Sequence, residues 1–170
     1  MATLNVDMLT GRSCELVEEL GRRRVDFCAA ADESQNHHCC RNNRLRTIVS
    51  VKCFDDRLMK VIVAAGKRLH HFFCALAPHI GRSGQAEDEF WSLLDENTAV
   101  VPPKDVIVFA GYLNGNVGAT KNEYSCQARF GCGQSNADGE RILAYAKSHN
   151  LTIVSTVFRG DSHLISFYNR

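Results

Sequence analysis

The sequence predicts an α/β protein in which two β-sheets pack together and helices flank them. Three observations favour this fold class. A β-α-β pattern opens the chain, strand-like runs then form an antiparallel meander, and helix and strand patterns alternate in the remainder. With 170 residues, the chain is predicted to form a single domain over residues 1–170.

Composition and charge narrow the class of protein. Apolar residues make up 45% of the chain and charged residues 23%, which is ordinary for a globular domain. A formal net charge of +1 is too small for a protein that holds nucleic acid mainly by neutralising phosphates. No run of about 20 apolar residues and no signal-peptide pattern is present. We therefore expect a nuclear or cytoplasmic protein with no membrane contact and no small-molecule cofactor.

Cysteine usage favours reduced thiols. The eight cysteines occur without a secretory signal and without a C-x-x-C spacing. Cys28, Cys53 and Cys74 lie in apolar runs and are predicted to be buried. Residues 37–40, His-His-Cys-Cys, have the side-chain types of a zinc site, but four consecutive side chains do not converge easily on one tetrahedral centre. An exposed loop is the favoured interpretation there.

The amino-terminal elements are predicted as a strand over residues 4–6, a helix capped by Ser13, and a strand over 25–29. Asp32 and Glu33 follow the second strand. A carboxylate at the rim of a sheet can bind Mg²⁺, although adjacent acids are more often solvated turn residues. Residues 35–46 are polar, cationic and without periodicity, which predicts a loop.

The middle of the chain predicts three strands, over residues 47–53, 58–64 and 68–75, joined by turns at Asp55-Asp56 and Gly66. An amphipathic helix is predicted to follow over residues 85–97. We expect it to bury Phe90, Leu93 and Leu94 and to place Trp91 at its edge.

A central buried strand is predicted over residues 105–110, ending at Gly111 and leading into a glycine-rich loop. Asn114 lies in that loop between residues that permit unusual backbone conformations. It is either a site residue at the rim of a sheet or a turn residue. Further on, Asp138 is predicted to cap a helix through His149, and residues 151–158 are predicted to form the next strand.

Eight segments, in order along nearly the whole chain, follow one family pattern. They include Ala-Leu-Ala-Pro at residues 75–78 and Leu-Asn-Gly-Asn-Val-Gly at residues 113–118. The others are residues 3–6 with 9–12, 14–20, 25–29, 54–59, 138–143 and 161–165. Together they resemble the endonuclease/exonuclease/phosphatase superfamily, in its branch of RTE-type non-LTR retrotransposons and craniofacial development protein 2-like proteins.

The resemblance implies a four-layered α/β sandwich and a Mg²⁺-dependent phosphodiesterase whose branch nicks DNA. It makes Asn5 the asparagine of the first strand, beside the metal. It makes Asn114 the donor to the scissile phosphate in the family motif Gly-Asp-Leu-Asn. Asp32 matches the family's metal-binding glutamate, shortened by one methylene. Mg²⁺ and DNA are thus the cofactor and partner that the resemblance implies.

Departures from the family pattern imply impaired catalysis. Tyr112 replaces the Asp of Gly-Asp-Leu-Asn, and Leu76 replaces the active-site Tyr of Ala-Tyr-Ala-Pro. The segment around residues 35–46 is shorter than in relatives, and the chain ends at Arg170, before the family's terminal Asp-Tyr and Ser-Asp-His motifs. We expect an impaired or inactive endonuclease-like domain. The alternatives are a non-catalytic remnant that binds nucleic acid or protein, and a poorly folding decayed fragment.

Overall fold

The computed structural model describes residues 2–6, 18, 22, 27–32, 37–41, 48–78, 84–118, 126 and 133–157; for 2–6, 27–32 and 37–41 it describes the backbone only. The chain divides into two compact units, Met1–Leu113 and Asn114–Arg170. The single-domain assignment stays a prediction. The secondary structure belongs to the α/β class, as predicted.

The first unit contains a three-stranded sheet of β1 (Ala2–Val6), β2 (Phe27–Asp32) and β3 (His37–Arg41), in that order. The strands β1 and β2 run parallel, and β3 runs antiparallel to β2. Parallel pairing of β1 and β2 fits the predicted β-α-β opening. Glu18 and Arg22, which lie between these strands in the sequence, are helical and exposed.

Two predictions for this sheet need correction. The second strand occupies Phe27–Asp32, later than the predicted residues 25–29. The predicted loop over residues 35–46 is wrong at His37–Arg41, which is β3. Backbone hydrogen bonds to β2 hold β3 in place, and they are formed whatever the polarity of its side chains. His37 and His38 therefore lie on a strand.

The first unit also contains a four-stranded sheet. Its strands are β4 (Ile48–Cys53), β5 (Leu58–Ala65), β6 (Arg68–Leu76) and β7 (Val106–Tyr112), in that order across the sheet. The first three form the predicted antiparallel meander, and β7 pairs parallel with β6. Its strand β7 lies beside β1 and β2 of the three-stranded sheet.

The predicted turns of the meander are confirmed, and each has a local cause. Between β4 and β5, Oδ1 of Asp55 accepts hydrogen bonds from the backbone N–H groups of Arg57 and Leu58, at 2.8 and 2.7 Å. Such an aspartate turn satisfies backbone donors that the strands leave unpaired. Between β5 and β6, Gly66 has a φ of 62°, which glycine adopts at little cost.

The core of the first unit lies on both faces of the four-stranded sheet. One face carries a cluster of Met59, Val61, Val63, Cys74 and Ala110. The alternate positions of β5 and β6 include Leu58 and Phe73, which are fully buried. Strand periodicity alone places these residues on opposite faces, so the sheet is covered on both sides over its central strands.

Helix α1 (Gly84–Ala99) connects β6 to β7 and confirms the predicted helix. It buries Phe90 and Leu94, as expected. Trp91 was expected at the edge of the helix, but it is buried and meets Phe90 edge-to-face with ring centroids 5.6 Å apart. Leu93 was expected to be buried and is only half-buried. The apolar stripe is therefore rotated slightly toward Trp91.

A buried polar pair fixes the start of β7. Asp105 precedes the strand, and its Oδ2 lies 3.2 Å from Nε2 of His71 on β6, both side chains being almost wholly buried. Its Oδ1 accepts a longer hydrogen bond of 3.4 Å from the backbone N–H of Leu69. Buried carboxylates need such partners. Asp105 therefore ties the entrance of β7 to β6.

The second unit contains α2 (Ala137–Ser148) and a 3₁₀ turn at Val154–Thr156. Cys126, Leu143 and Ala146 form its core cluster, with Val117, Leu151 and Ile153 packed against them. The predicted strand over residues 151–158 is wrong for 151–157. Leu151 and Ile153 pack against the helix, and the hydroxyl of Thr156 donates to the carbonyl of Ile153 at 2.7 Å, which favours a tight turn.

The three cysteines whose side chains are described, Cys53, Cys74 and Cys126, form no disulfide. Cys74 and Cys126 are buried, the first as predicted. Cys53 was predicted to be buried but is exposed, because β4 is the terminal strand of its sheet. Cys28 falls outside the residues whose side chains are described. In the described part of the chain, no helix is both long and apolar enough to cross a membrane.

Candidate functional site

Leu76 and Tyr112 lie side by side at the carboxyl ends of two neighbouring parallel strands. Leu76 ends β6 and Tyr112 ends β7, and the two residues are partners in the register of the ladder. These are the positions that the family resemblance assigns to a tyrosine and an aspartate. The carboxyl edge of parallel strands is where open α/β sheets place ligand-binding groups.

The backbone at this edge is held in a close approach. Gly111 has a φ of 142°, and a Cβ atom there would lie 1.9 Å from the carbonyl oxygen of Ala75. Glycine is therefore required where β7 meets β6 just before Tyr112. One residue further, the backbone N–H of Ala77 donates to the carbonyl of Tyr112 at 2.9 Å. The N–H of Leu76 donates to the carbonyl of Arg57 at 2.9 Å.

The side chains at this edge offer little for acid–base chemistry. Tyr112 is 38% exposed and Leu76 is half-buried. A phenol donates a hydrogen bond but does not provide the anionic oxygens with which a carboxylate orients water or binds a cation. An alkyl side chain provides neither. The pair Leu76–Tyr112 therefore presents an apolar and a hydroxyl-bearing side chain at this edge, without a carboxylate.

Asn5 and Asp32 lie on the adjacent parallel strands β1 and β2. Asn5 pairs with Ala31, and Asp32 pairs with Val6, so the two residues are one register step apart. Both occur at the carboxyl ends of their strands. Their side chains lie outside the described part of the structure, as does Glu33. The sequence-predicted metal residues thus come from neighbouring strands, but an offset of one residue in the ladder places their two positions on opposite faces of the sheet.

Asn114 belongs to the second unit. It is half-buried and has a φ of 54°, a left-handed conformation that asparagine tolerates better than most residues. The loop that follows lies against the first turn of α2. A Cβ on Gly115 would lie 2.7 Å from the backbone N of Gly139, and one on Gly139 would lie 1.8 Å from the carbonyl oxygen of Asn116. Both glycines permit this contact.

Asn136 joins this loop to the helix. Its Oδ1 accepts hydrogen bonds from the backbone N–H groups of Asn116, at 2.9 Å, and Gly139, at 2.8 Å. Its own N–H donates to the carbonyl of Asn116 at 3.0 Å. Asn136 is the N-cap of α2, so the predicted cap, Asp138, is wrong. Asp138 lies in the first turn, where its carboxylate still favours the helix.

Sequence reasoning missed Asn136 although a signal was present. Asparagine is a favoured N-cap because its side-chain oxygen accepts the backbone N–H three residues later. Two residues of this kind, Asn136 and Asp138, occur in this stretch. The loop decides between them, because only Asn136 also accepts the hydrogen bond of Asn116. Asn116 in turn accepts the N–H of Gly118 at 3.2 Å, as expected for a turn residue.

Comparisons with known proteins add no relative: neither known protein families nor curated proteins match this chain. Among the described side chains, no three of His, Cys, Asp or Glu converge as metal ligands would. That search does not include the side chains of Asn5 and Asp32.

Proposed function

We propose that the chain is a retrotransposon-derived endonuclease-like domain of the endonuclease/exonuclease/phosphatase superfamily, with its phosphodiesterase chemistry impaired or lost. The register pairing of Leu76 with Tyr112 carries the proposal. The resemblance assigns these two positions to one active site from separate segments of the sequence. Their adjacency at the carboxyl edge of parallel strands supports that assignment.

The architecture supports the finer fold assignment. We propose that the two sheets and their helices form a four-layered α/β sandwich. The contact of β7 with β1 and β2 supports this, as does the helix α1 that connects β6 to β7. By the resemblance, the segment around residues 35–46, which includes β3, is shorter than in the family.

The proposed cofactor is Mg²⁺, held by Asp32 and Asn5. Carboxylate and amide oxygens are suitable ligands for this hard cation, and the resemblance assigns both residues to the metal site. In a phosphodiesterase such a cation polarises the phosphate. Asn114 would donate a hydrogen bond to a phosphate oxygen. DNA is the proposed partner, and the near-neutral net charge of +1 favours weak binding.

Loss of catalysis follows from the residues at the edge of the sheet. Tyr112 supplies no carboxylate for orienting a water nucleophile, and Leu76 supplies no hydroxyl donor. Residues that act as one catalytic unit are not additive, so loss of one removes most of the rate. The wild-type chain is therefore expected to nick DNA at the rate of buffer alone.

Nicking of supercoiled plasmid in Mg²⁺ and in Mn²⁺ tests the impairment. We expect no nicking by the wild-type protein. If the wild-type protein nicks DNA and Asn114→Ala abolishes the nicking, the proposed loss of catalysis is wrong, because the site would be active without the replaced residues. A cooperative thermal transition of the same sample is the control for folding.

Mn²⁺ binding tests the site separately from the chemistry. Tyr112→Asp restores a carboxylate next to Leu76, and we expect Mn²⁺ to broaden the amide resonances of residues 75–77 in this variant. Asp32→Asn in the same background should reduce the effect. Val100→Asp adds a carboxylate at a position 72% exposed in the same unit and serves as the matched control. Equal broadening in both variants would contradict the proposed site.

A further inference from the structure

Strand β4 presents an open edge. It is the terminal strand of the four-stranded sheet, and within the described part of the chain only β5 pairs with it. Residues 49–53 are all exposed, and Val49 and Val51 keep 59% and 55% of their surface in contact with solvent. An edge strand with exposed β-branched residues is a template for the addition of another strand.

An apolar row leads from the core to this edge. Val51 pairs with Val61, which pairs with Phe72, and Phe72 pairs with Val108 of β7. Val61 is buried in the core cluster, whereas Val51 at the end of the row is exposed. An apolar residue of an added strand, placed beside Val51, would extend the row by one position and bury that surface.

The next row ends in two like charges. Lys52 pairs directly with Lys60, and Lys60 pairs with Phe73. Lys60 is only 9% exposed, and its Nζ lies 5.0 Å from the centre of the Phe73 ring. Lys52 is exposed, with its Nζ 4.6 Å from the ring of Phe54. No carboxylate among the described residues forms an ion pair with either lysine.

Among the described residues, this pairing leaves positive charge at the edge without a carboxylate partner. Like charges directly opposite each other destabilise a sheet. Burial, and then repulsion from Lys52, lower the pKa of Lys60. A carboxylate placed beside Lys52 on the open side would reduce the repulsion.

We propose that the open edge of β4 binds an extended segment of a partner protein in which apolar and acidic residues alternate. The apolar residue would lie beside Val51 and the acidic residue beside Lys52. Successive residues of a strand point to opposite faces, so a single alternating segment satisfies both rows. The proposal does not depend on nuclease ancestry.

The same features disfavour other occupants. A second copy of the chain would bring another Lys52 to the edge, and the register shift between Ile48 and Ser50 interrupts the ladder. Edge lysines and bulges are devices that prevent self-pairing of sheets. A nucleic-acid backbone would satisfy Lys52 but would leave Val51 without an apolar partner. Charge and apolar surface together favour the acidic protein segment.

Two labelled peptides of about eight residues, alternating Val with Glu or Val with Lys, test the proposal by fluorescence anisotropy. We expect the wild-type protein to bind the Val-Glu peptide and to prefer it over the Val-Lys peptide. Lys52→Glu should weaken Val-Glu binding by about tenfold and reverse the preference. Val51→Thr, which keeps the side-chain shape, should weaken binding of both peptides.

Lys104→Glu is the matched control, because it makes the same charge change in the exposed turn before β7, at the opposite edge of the sheet. It should leave the preference unchanged. In the complex, hydrogen exchange should slow at alternate amides of β4. Equal binding of the two peptides, or slowed exchange elsewhere, would overturn the proposal. The proposal would also be overturned if the Val-Glu peptide left amide exchange in β4 unchanged while self-association or a DNA duplex slowed it.

Discussion

Asn116 and Asn136 are joined by two hydrogen bonds, one donated by the backbone N–H of each residue. The N–H of Asn116 donates to the side-chain oxygen of Asn136 at 2.9 Å, and the N–H of Asn136 donates to the carbonyl of Asn116 at 3.0 Å. The same side-chain oxygen also caps α2 through Gly139. One carboxamide therefore maintains both the loop that carries Asn114 and the start of the helix.

Asn136→Ala should lower the free energy of unfolding of the second unit by about 1–2 kcal/mol, because it removes the cap and leaves the Asn116 donor without its acceptor. Chemical denaturation followed by circular dichroism measures the change. Asn136→Asp is the matched control, since its carboxylate keeps an acceptor at the positive end of the helix dipole. A loss as large for Asp as for Ala would contradict the role of the acceptor oxygen.

Gly111→Ala should destabilise the first unit by about 3 kcal/mol or more, because the new Cβ would collide with the carbonyl of Ala75 in addition to straining a φ of 142°. Gly66→Ala separates the two effects. At Gly66 the φ is 62° and nothing lies within 4 Å of the added Cβ. Its expected cost is about 1 kcal/mol, from backbone strain alone. Similar costs for the two variants, measured by urea denaturation, would show that the close approach relaxes freely.

Lys60→Met should change stability with a definite dependence on pH. Burial, and then Lys52, lower the pKa of Lys60 below its ordinary value of 10.5, whereas the unfolded chain keeps that value. Between the two pKa values the unfolded state binds more protons, so wild-type stability rises with pH through that range. The stability of Lys60→Met relative to wild type should therefore be greatest at neutral pH and decline as the pH approaches 10.5.

At neutral pH the net change for Lys60→Met should stay within about 1 kcal/mol, since the lost contact with the Phe73 ring offsets part of the gain. Lys104→Met, at an exposed position, provides the control and should show a difference from wild type that does not vary with pH. Urea denaturation at a series of pH values gives both curves. A stability gap for Lys60→Met that widens with rising pH would contradict the assigned direction.

Much of the first unit could be predicted from the sequence because its signals are local. The meander of β4, β5 and β6 follows from alternating apolar residues bounded by Asp55 and Gly66. Strand β3 could not be predicted, because its polar residues are held by backbone pairing with β2 across the sheet. The prediction of a strand over residues 151–157 failed for the opposite reason. Their β-branched residues predict a strand, but packing on α2 occupies their apolar side chains.

In the candidate site, too, local signals were predicted and contacts between distant parts of the sequence were not. The sequence indicated a strand ending at Gly111 and the importance of residues 76, 112 and 114. It did not predict that Leu76 and Tyr112 are register partners, because β6 and β7 are separated in the sequence by helix α1 and their pairing is not a local signal. Nor did it predict that Asn136 positions the Asn114 loop, since that contact joins residues 20 positions apart.

Two of the described cysteine side chains are buried, and their thiols can report on the opening of separate cores. Cys74 is 3% exposed in the core of the first unit and Cys126 is 5% exposed in the core of the second. A thiol reagent reaches each sulfur when the surrounding core opens, so the labelling rate reports how often that core opens. Peptide mapping after timed alkylation separates the two sites within one sample. The alkylation rates of Cys74 and Cys126 therefore report the opening frequency of the first and the second unit separately.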